Sequence, residues 1–512
     1  PDAASPQATK LDVSDFRVVA TSLENSGENS LYTEIPRQNV AEIDLSESQL
    51  IIRKTFDVNI SNNQLSSPVL TSTNETFLPF SAARYDLIKK DGTTEVLTED
   101  KVKISAGGGQ LEIKNLSDGT DDATLVTTIK KLKPKSKVKL KNRVNSIVID
   151  NSDNPASGIT TTSLGDGLVY GDYPYGTRVQ DETICLRTPD VINIHAIFES
   201  VDINDASAPT FTLSSISGPT AKTTDLIIGE RITGRTSGAV AIVAERISDT
   251  KISFIAKNSK VFKEGETLLF EESNINAVLT TVDTPSINIS QNYTFGNGQK
   301  SNFYDFGYIT RKSDAKAPVR QLRVYFTSGY YQSTDDGDIT TVESYDTFHY
   351  GREISSVNGV RNSDIIDIRP RVSDYAIATG GRSPLEFYGR TFDATGNSSA
   401  NILASNESIV ADYSFYLGRI DRVYVTKDGK LQVKYGVPSE KPEKPVSVDD
   451  ALEIATVQLP PYLYNVSDAS VDFLSHKRYR MQDIKKLEER IKTLEYYTSL
   501  SLLETNTANL FV

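Results

Sequence analysis

For most of its length this sequence alternates apolar and polar residues, and it changes to helical spacing only near the C-terminus. Residues 56–60 (FDVNI) show the two-residue period of a half-buried strand, and residues 322–326 and 421–425 are further strand candidates. Asp91-Gly92 and residues 427–430 separate pairs of such segments with residues suited to tight hairpins. The sequence therefore predicts a mainly β fold of several small β-sandwich or β-barrel modules in tandem, with a C-terminal α-helix of coiled-coil type.

The chain has 512 residues, enough for about three or four domains. The predicted parts are an N-terminal arm or first strands (1–52), a β-sandwich-like domain (53–151), a main β-domain (152–205 and 286–437), an inserted small β-barrel with an internal repeat (206–285), a Pro-rich linker with strands (438–475) and the C-terminal helix (476–512). Because it begins at Pro1 without a Met and ends on an apolar Leu-Phe-Val, we expect a segment of a longer polypeptide or a processed product.

The acidic composition limits the possible partners. The chain has 55 Lys and Arg against 68 Asp and Glu, a formal net charge of −13. A general nucleic-acid binder needs a positive field to displace counterions from phosphates, so we expect no nucleic-acid binding. The single cysteine, Cys185, excludes an intrachain disulfide and a multi-cysteine zinc site. No apolar run reaches the roughly 18 residues of a membrane span, so we expect no membrane insertion.

Six lysines occupy every second position of one segment: Lys131, Lys133, Lys135, Lys137, Lys139 and Lys141. On a β-strand this spacing places all six on one face. Such a ribbon would bind an acidic partner or a phosphate, or it would be a solvated edge strand whose charges discourage pairing with other edges. The sequence favours the solvated edge strand.

Residues 220–285 contain an internal repeat, in which Gly229-Glu230 and Gly265-Glu266 lie 36 residues apart. Each Gly-Glu follows shortly after an apolar pair and precedes a short strand, as in a tight turn that leads into a small antiparallel barrel. Glycine suits such a turn because it adopts conformations that a Cβ atom forbids. We interpret Gly229, Glu230, Gly265 and Glu266 as structural turns rather than as a ligand site.

The residues that usually carry catalysis are scarce. His195, His349 and His476 lie in no zinc or nucleophile motif, and His195 follows an apolar run typical of a packed strand. Cys185 also lies in a short apolar run, where a thiol is usually inert. Residues 335–338 (DDGD) resemble part of a calcium loop but lack its spaced ligands and closing Glu, so we interpret them as a solvated turn. We expect a non-enzyme without catalytic residues, bound metal or cofactor.

The C-terminal segment has the spacing of a helix that associates through an apolar stripe. Its first stripe residues are three, four and three positions apart, and after Leu494 the register slips. The candidate oligomer interface consists of Ile484, Leu487, Ile491, Leu494, Tyr497, Leu500 and Leu503. Two explanations remain open: the stripe packs on its own domain, or identical chains cover it.

Several segments resemble one protein family. They are residues 479–504 (YRMQDIKKLEERIKTLEYYTSLSLLE), 419–423 (RIDRV) followed by 427–429 (KDG), 436–438 (GVP), 459–462 (LPPY), 175–181 (YGTRVQD), 198–200 (FES) and 304–307 (YDFG). In these the chain resembles large virion structural proteins of contractile-tailed phages, especially cyanophages. The resemblance covers most of residues 160–512 and is specific in the last 100. It implies a tail-fibre-like or baseplate-associated protein with a role in assembly, and it supplies no catalytic residues.

The residue patterns and the resemblance lead to one main hypothesis. We expect a structural protein of the phage tail, baseplate-attached or fibre-like, that forms a homotrimer, links tail parts and is made in the host cytoplasm before it enters the virion. One alternative is a receptor-binding adhesin whose exposed Tyr-rich loops between residues 325 and 350 contact a host surface receptor. Another is a glycan-degrading tailspike.

Overall fold

The computed structural model describes residues 13–19, 31–66, 68–70, 72–117, 119–151, 175–202, 204–378, 381–392, 402–404, 407–463, 466–475 and 479–510. The chain is mainly β, with many strands in several sheets and a long C-terminal helix, α1 (Met481–Leu510). The predicted fold class is therefore confirmed. The described residues belong to two compact units, one within Lys10–Tyr416 and one within Leu417–Val512.

The strands have the following bounds in chain order. The first are β1 (Val13–Val19), β2 (Tyr32–Glu34), β3 (Val40–Ser61), β4 (Gln64–Leu65), β5 (Glu75–Phe77), β6 (Tyr85–Lys89), β7 (Thr94–Glu95), β8 (Val102–Ile104), β9 (Leu111–Ile113), β10 (Thr120–Leu132) and β11 (Lys139–Ile149). The next are β12 (Thr183–Pro189), β13 (Val191–Ser200), β14 (Thr210–Ser214), β15 (Arg231–Gly234), β16 (Val240–Ser248), β17 (Lys251–Ala256), β18 (Thr267–Phe270), β19 (Ile275–Asp283), β20 (Ser286–Asn288), β21 (Tyr293–Gly296), β22 (Phe306–Arg311) and β23 (Leu322–Tyr331). The last are β24 (Ser356–Val357), β25 (Val360–Arg361), β26 (Ile365–Asp367), β27 (Ile402–Leu403), β28 (Ser408–Phe415), β29 (Arg419–Thr426), β30 (Leu431–Lys434), β31 (Ala451–Leu459) and β32 (Ser470–Phe473). Short 3₁₀ turns cover Thr223–Asp225, Ser290–Asn292, Val342–Tyr345, Asn362–Asp364, Phe387–Gly389 and Val466–Asp468.

A large antiparallel sheet runs in the order β1-β28-β3-β10-β6-β7, with β4 and β27 also paired to β3 and β5 to β10. Its longest pairing joins β3 and β10 in continuous register from Thr120 opposite Ser61 to Leu132 opposite Gln49. In β3 the burial alternates as the sequence predicts, since Val58 is buried and Asp57 is exposed. The predicted hairpin at Asp91-Gly92 is confirmed: β6 pairs with β7, and Gly92 has a φ of +84°.

Two sheets in the middle of the chain share a core. One has the order β11-β23-β13-β20 and the other the order β12-β22-β21. Ile197 and Val324 of the first sheet belong to the same buried apolar cluster as Ile184 and Ile309 of the second. This arrangement brings β11, β23 and β13 side by side, and it places Lys139 on β11 and His195 on β13 of the same sheet.

The strands between residues 210 and 283 close into a barrel in the order β14-β17-β16-β15-β18-β19. Phe211, Phe254 and Phe262 pack together inside it, with ring centroids of the first two 3.7 Å apart. The barrel lies within residues 206–285, where the sequence placed an inserted barrel. Thr233 of β15 pairs with Leu269 of β18. Leu269 is the residue at the same position in the second repeat, 36 residues after Thr233, so a pseudo-two-fold axis relates the two repeats.

The small unit contains a sheet with the order β30-β29-β31-β32, followed by α1. The hairpin predicted at residues 427–430 is confirmed, since β29 pairs with β30 and Gly429 has a φ of +74°. The sheet extends across the predicted boundary between residues 437 and 438 because β31 pairs with β29. Among the residues of this unit whose burial the structure describes, only Gly418, Asp421, Ala455 and Thr456 are buried.

Candidate functional site

The six alternating lysines do not form one strand. β10 ends at Leu132 and β11 begins at Lys139, and Lys133 between them has a φ of +51°. Pro134 has no amide hydrogen and interrupts the hydrogen-bond ladder, a signal that the lysine spacing by itself does not contain. The prediction of a solvated edge strand is wrong, because Lys137 and Lys139 are buried, with exposed fractions of 7% and 2%.

Several of these lysines form ion pairs with acidic residues of the same chain. The Nζ atom of Lys131 lies 2.5 Å from Oδ1 of Asp338, and Nζ of Lys135 lies 2.5 Å from Oδ2 of Asp336. The amide of Val138 donates to Oδ2 of Asp335 over 2.9 Å. The interpretation of residues 335–338 as a simple solvated turn is therefore wrong for Asp338, which is 4% exposed. No group of three or more His, Cys, Asp or Glu in the described part of the chain is placed to hold a metal ion.

Lys139 lies in a buried aromatic cage. Its Nζ atom is 2.6 Å from Oδ2 of Asp190, and it lies 4.4 Å, 5.6 Å and 5.0 Å from the ring centroids of Tyr304, Tyr331 and Tyr345. Burial lowers the pKa of Lys139, and the Asp190 carboxylate acts in the opposite direction. The negative ring faces and the carboxylate together replace the water that the ammonium group loses.

A second buried ion pair adjoins this cage. Arg369 and Asp367 are fully buried, with Nη2 of Arg369 2.7 Å from Oδ2 of Asp367. The hydroxyl of Tyr304 donates to the same carboxylate, and the Arg369 guanidinium lies 4.4 Å from the Tyr304 ring. Burial, with the neighbouring Asp367 charge, raises the pKa of Tyr304 well above its usual range. Tyr304 thus contacts two buried cations.

This network changes the interpretation of the Tyr-rich segment 325–350. Tyr325, Tyr331, Tyr345 and Tyr350 are all at most 9% exposed. The prediction that tyrosines of this segment are exposed for host contact is therefore wrong at these positions. The rings of Tyr331 and Tyr345 lie around Lys139, Tyr325 packs against Phe198, and the Tyr350 hydroxyl donates to the Val40 carbonyl.

His195 lies on β13 with both ring nitrogens in contact with neighbours. Nε2 is 3.0 Å from the Arg143 carbonyl oxygen and 2.8 Å from Oγ1 of Thr327, and Nδ1 is 3.0 Å from Nζ of Lys257. Burial, aided by the Lys257 charge, lowers the pKa of His195 to about 4. His349 lies near Glu353, whose carboxylate accepts from the His349 amide over 2.9 Å. His476 lies outside the described residues.

Cys185 lies on β12 and is fully buried. Burial raises the pKa of its thiol to about 12. A thiol in this state is neither a nucleophile nor a metal ligand at neutral pH. This placement agrees with the interpretation of the surrounding apolar run.

The two Gly-Glu turns of the barrel have matching geometry. Gly229 and Gly265 have φ values of +84° and +82°. The carboxylates of Glu230 and Glu266 each accept a hydrogen bond of 2.6 Å from the amide three residues earlier.

Each carboxylate also reaches into the other repeat. Glu230 accepts from the amide of Ser273 over 3.0 Å, and Glu266 accepts from the amide of Ser237 over 3.0 Å. Ser237 and Ser273 are themselves 36 residues apart, so the exchange follows the pseudo-two-fold axis. The Gly-Glu pairs were identified from the sequence, whereas these serines were missed. The contacts that occupy both carboxylates come from the chain itself.

The seven predicted interface residues of α1 are all exposed, from 39% at Leu500 to 69% at Leu494. On an α-helix, residues three apart are rotated by about −60° and residues four apart by about +40°. Ile484, Leu487, Ile491 and Leu494 therefore share one stripe. Tyr497, Leu500 and Leu503 follow in steps of three, which carries them gradually to the other side of the helix. The seven residues do not form a single face.

The hydroxyl groups in the second half of α1 bond within the helix. Thr498 donates to the Leu494 carbonyl over 2.6 Å, and Thr505 donates to the Ser501 carbonyl over 2.7 Å. Both hydroxyls are thereby satisfied without a partner from outside the helix. These two hydroxyls would therefore keep their hydrogen bonds if apolar groups covered this surface.

A family model described as a domain of unknown function (DUF4815) matches residues 368–509. The matched range contains the end of the large unit and most of the small unit. No curated protein and no solved structure is significantly similar to the chain. No helix of the described residues has the length and hydrophobicity needed to cross a membrane.

Proposed function

We propose that the protein is a structural component of a contractile phage tail, baseplate-attached or fibre-like, and that it assembles as a homo-oligomer, preferably a trimer, through its C-terminal unit. Its place would be in the virion, where it links tail proteins to one another. In this proposal the chain acts by assembly and has no catalytic function. The observation that carries the proposal is the lack of an apolar core among the described residues of the unit that contains α1.

The small unit exposes large apolar side chains on both its sheet and its helix. On the sheet and its connections they are Leu431, Val433, Tyr435, Val437, Val446, Leu452, Val471, Phe473 and Leu474. Of these, Phe473 and Val437 are 78% and 79% exposed. A sheet or helix gains most of its stability by burying an apolar face, so a unit with this surface is expected to fold against something else.

The free energy gained by burying the apolar stripe of α1 favours association. Covering a Leu, Ile or Phe side chain contributes about 1.5 to 3 kcal/mol. Because Ile484, Leu487, Ile491 and Leu494 are already about half buried, covering the rest of these side chains would contribute on the order of 3 to 6 kcal/mol before the entropic cost of association. Identical chains carry the same apolar stripe at the same position along α1. A closed symmetric assembly can therefore cover the stripe of each chain with that of its neighbour.

The rotation of the stripe along α1 favours more than one neighbour. The first four seam residues require a partner on one side, and Leu500 and Leu503 require cover on another. A two-stranded coiled coil covers a single narrow seam, whereas a three-helix arrangement contacts each helix on two sides. This geometry is the reason for preferring a trimer.

Host recognition is a second candidate function. The buried tyrosines of segment 325–350 no longer support it, but Phe387 and Tyr388 are 62% and 81% exposed. Tyrosine and phenylalanine are enriched at protein–protein interfaces, so this pair of rings is a candidate contact surface. Binding of the purified chain to host cells would favour this candidate, and release of reducing ends from host polysaccharide would favour a tailspike.

Two measurements test the main proposal. Sedimentation equilibrium of the full chain should give a mass close to three times the 56.3 kDa of one chain. Labelling of intact particles with an antibody against the chain, viewed by electron microscopy, should place it on the tail. A stable monomer at micromolar concentration would contradict the oligomer, and absence from purified particles would contradict the virion role.

A further inference from the structure

A cavity of about 210 Å³ lies where the barrel meets the sheet that contains β11, β13 and β23. The barrel side contributes Lys257, which directly follows β17, and Glu272. The sheet side contributes Arg143 of β11 and His195 of β13. All of these residues belong to the large unit, and the cavity contains two of the three histidines of the chain, His195 and His349.

The contacts of His195 determine its tautomer. A carbonyl oxygen only accepts hydrogen bonds, so Nε2 must carry the hydrogen that it donates to the Arg143 carbonyl, 3.0 Å away. Nδ1 of the neutral ring then has a free lone pair, and it accepts from the ammonium group of Lys257 over 3.0 Å. A neutral imidazole therefore fixes the position of a lysine without neutralising its charge.

The remaining charges of the cavity are paired. Nη1 of Arg143 lies 2.6 Å from Oε2 of Glu272, and Lys141 forms an ion pair with Glu353. By contrast, no carboxylate of the described residues lies within 4.0 Å of the Lys257 ammonium group, which contacts the His195 ring instead. The described residues thus leave one positive charge of the cavity without an anionic partner.

We infer that this cavity is a binding site for a small oxyanion, a carboxylate or a phosphate group, in which Lys257 contacts the ligand and His195 is a positioning residue. Arg143 and Lys141 also line the cavity, but Glu272 and Glu353 neutralise them, so the net positive charge comes from Lys257. Such a site is independent of the proposed role in the phage tail.

Two further properties agree with an anion at this position. Lys257 as a whole is exposed, so a ligand can reach it from solvent. Loss of hydration at the amino group nevertheless lowers the pKa of Lys257, and no other cause contributes. A bound oxyanion would replace the lost hydration with charge-assisted hydrogen bonds.

Isothermal titration calorimetry of the full chain with sodium phosphate, and separately with sodium acetate at the same ionic strength, tests the inference. We expect saturable binding of at least one of the two anions, with one site per chain. Lys257→Gln should weaken that binding about tenfold or more, which corresponds to the loss of one charge-assisted hydrogen bond. Lys257→Arg keeps the charge and should retain binding, and it also serves if the glutamine variant fails to fold.

Lys263→Gln is the matched control, because Lys263 is an exposed lysine on the same barrel that does not line the cavity. In ¹⁵N-histidine NMR spectra, the Nδ1 signal of His195 should shift on anion binding in the wild type and in Lys263→Gln, and not in Lys257→Gln. Absence of saturable binding of both anions to the wild type would overturn the inference. Equal binding by the wild type and Lys257→Gln would overturn it as well.

Discussion

Lys139 and Asp190 form an ion pair that is almost completely withdrawn from solvent, with Nζ of the lysine 2.6 Å from Oδ2 of the aspartate. Lys139 is the first residue of β11, and Asp190 lies between β12 and β13 with a φ of +55°. The pair therefore joins two sheets at the point where one strand ends and another begins. Burying both charges has a high desolvation cost, and the three tyrosine rings around Nζ offset part of it.

The first prediction concerns this ion pair. Lys139→Met leaves the Asp190 carboxylate buried without its counter-ion and should lower the free energy of unfolding by about 3 to 5 kcal/mol. Asp190→Asn should have a comparable effect. In urea denaturation, the double variant should lose less stability than the sum of the two single variants, since it leaves no charge unpaired.

Lys135→Met is the matched control for that experiment. Lys135 pairs with Asp336 at the surface, where the two side chains are 65% and 77% exposed. Solvent screens such a pair, so its loss should leave stability almost unchanged. Equal losses in Lys135→Met and Lys139→Met would contradict the assigned role of burial.

The second prediction concerns the carboxylates of the barrel repeat. Glu230→Ala and Glu266→Ala should each lower the free energy of unfolding by about 2 to 4 kcal/mol, because each leaves several amide and hydroxyl donors without an acceptor. The two losses should be similar, since the pseudo-two-fold axis gives both residues closely matching contacts, with one further amide, that of Thr236, bonded to Glu266. Thermal denaturation of each variant measures these losses. Glu264→Ala changes an exposed residue of the same turn and should have little effect in this assay.

The third prediction is a pH dependence of stability that belongs to His195. Its pKa is about 4 in the folded chain, whereas the ordinary pKa of a solvated histidine is 6.5. Between these values the unfolded chain binds a proton that the folded chain does not, so the free energy of unfolding falls as the pH is lowered. The full loss would be on the order of 3 kcal/mol and would be reached once the pH is well below 4.

The test compares urea denaturation of the wild type, His195→Gln and His349→Gln between pH 7 and pH 4. Other acidic groups titrate in the lower part of this range, so the difference between variants is the informative quantity. The loss assigned to His195 should disappear in His195→Gln and persist in His349→Gln. An identical pH dependence in all three proteins would refute the assignment.

The fourth prediction concerns Cys185. Because burial raises the pKa of its thiol to about 12, the thiolate is almost absent at pH 8. Ellman's reagent should therefore leave the thiol of the folded chain almost unreacted over minutes. After unfolding in urea, it should react with one thiol per chain. Rapid reaction of the folded chain would place Cys185 at an accessible position instead.

The fifth prediction concerns association through α1. Ile491→Asp places a charge in the first stripe and should lower the mass measured by light scattering towards that of a single chain. Thr493→Asp introduces the same charge about 160° away around the helix, on the side that also carries Leu500, and tests the second contact expected in a trimer. If Ile491→Asp left the mass unchanged, the stripe would not be the contact between copies.

Local residue chemistry was enough to predict much of the backbone. The two-residue period in β3, the hairpins at Gly92 and Gly429, and the C-terminal helix all depend on neighbours a few residues apart. The Gly-Glu turns could be predicted for the same local reason, because in each turn the glutamate carboxylate accepts from an amide only three residues away.

Only the tertiary structure could decide which distant groups meet. The spacing of the lysines fitted a solvated strand, yet Lys139 is paired with Asp190, 51 positions away, and surrounded by tyrosines from three other segments. The tyrosines predicted to be exposed are buried because distant segments of the chain pack around them. The pKa of His195 is low because the ring is buried beside Lys257 of the barrel. Burial and charge pairing are properties of three-dimensional neighbours, and a one-dimensional pattern specifies the strands without specifying which of their charged groups come together.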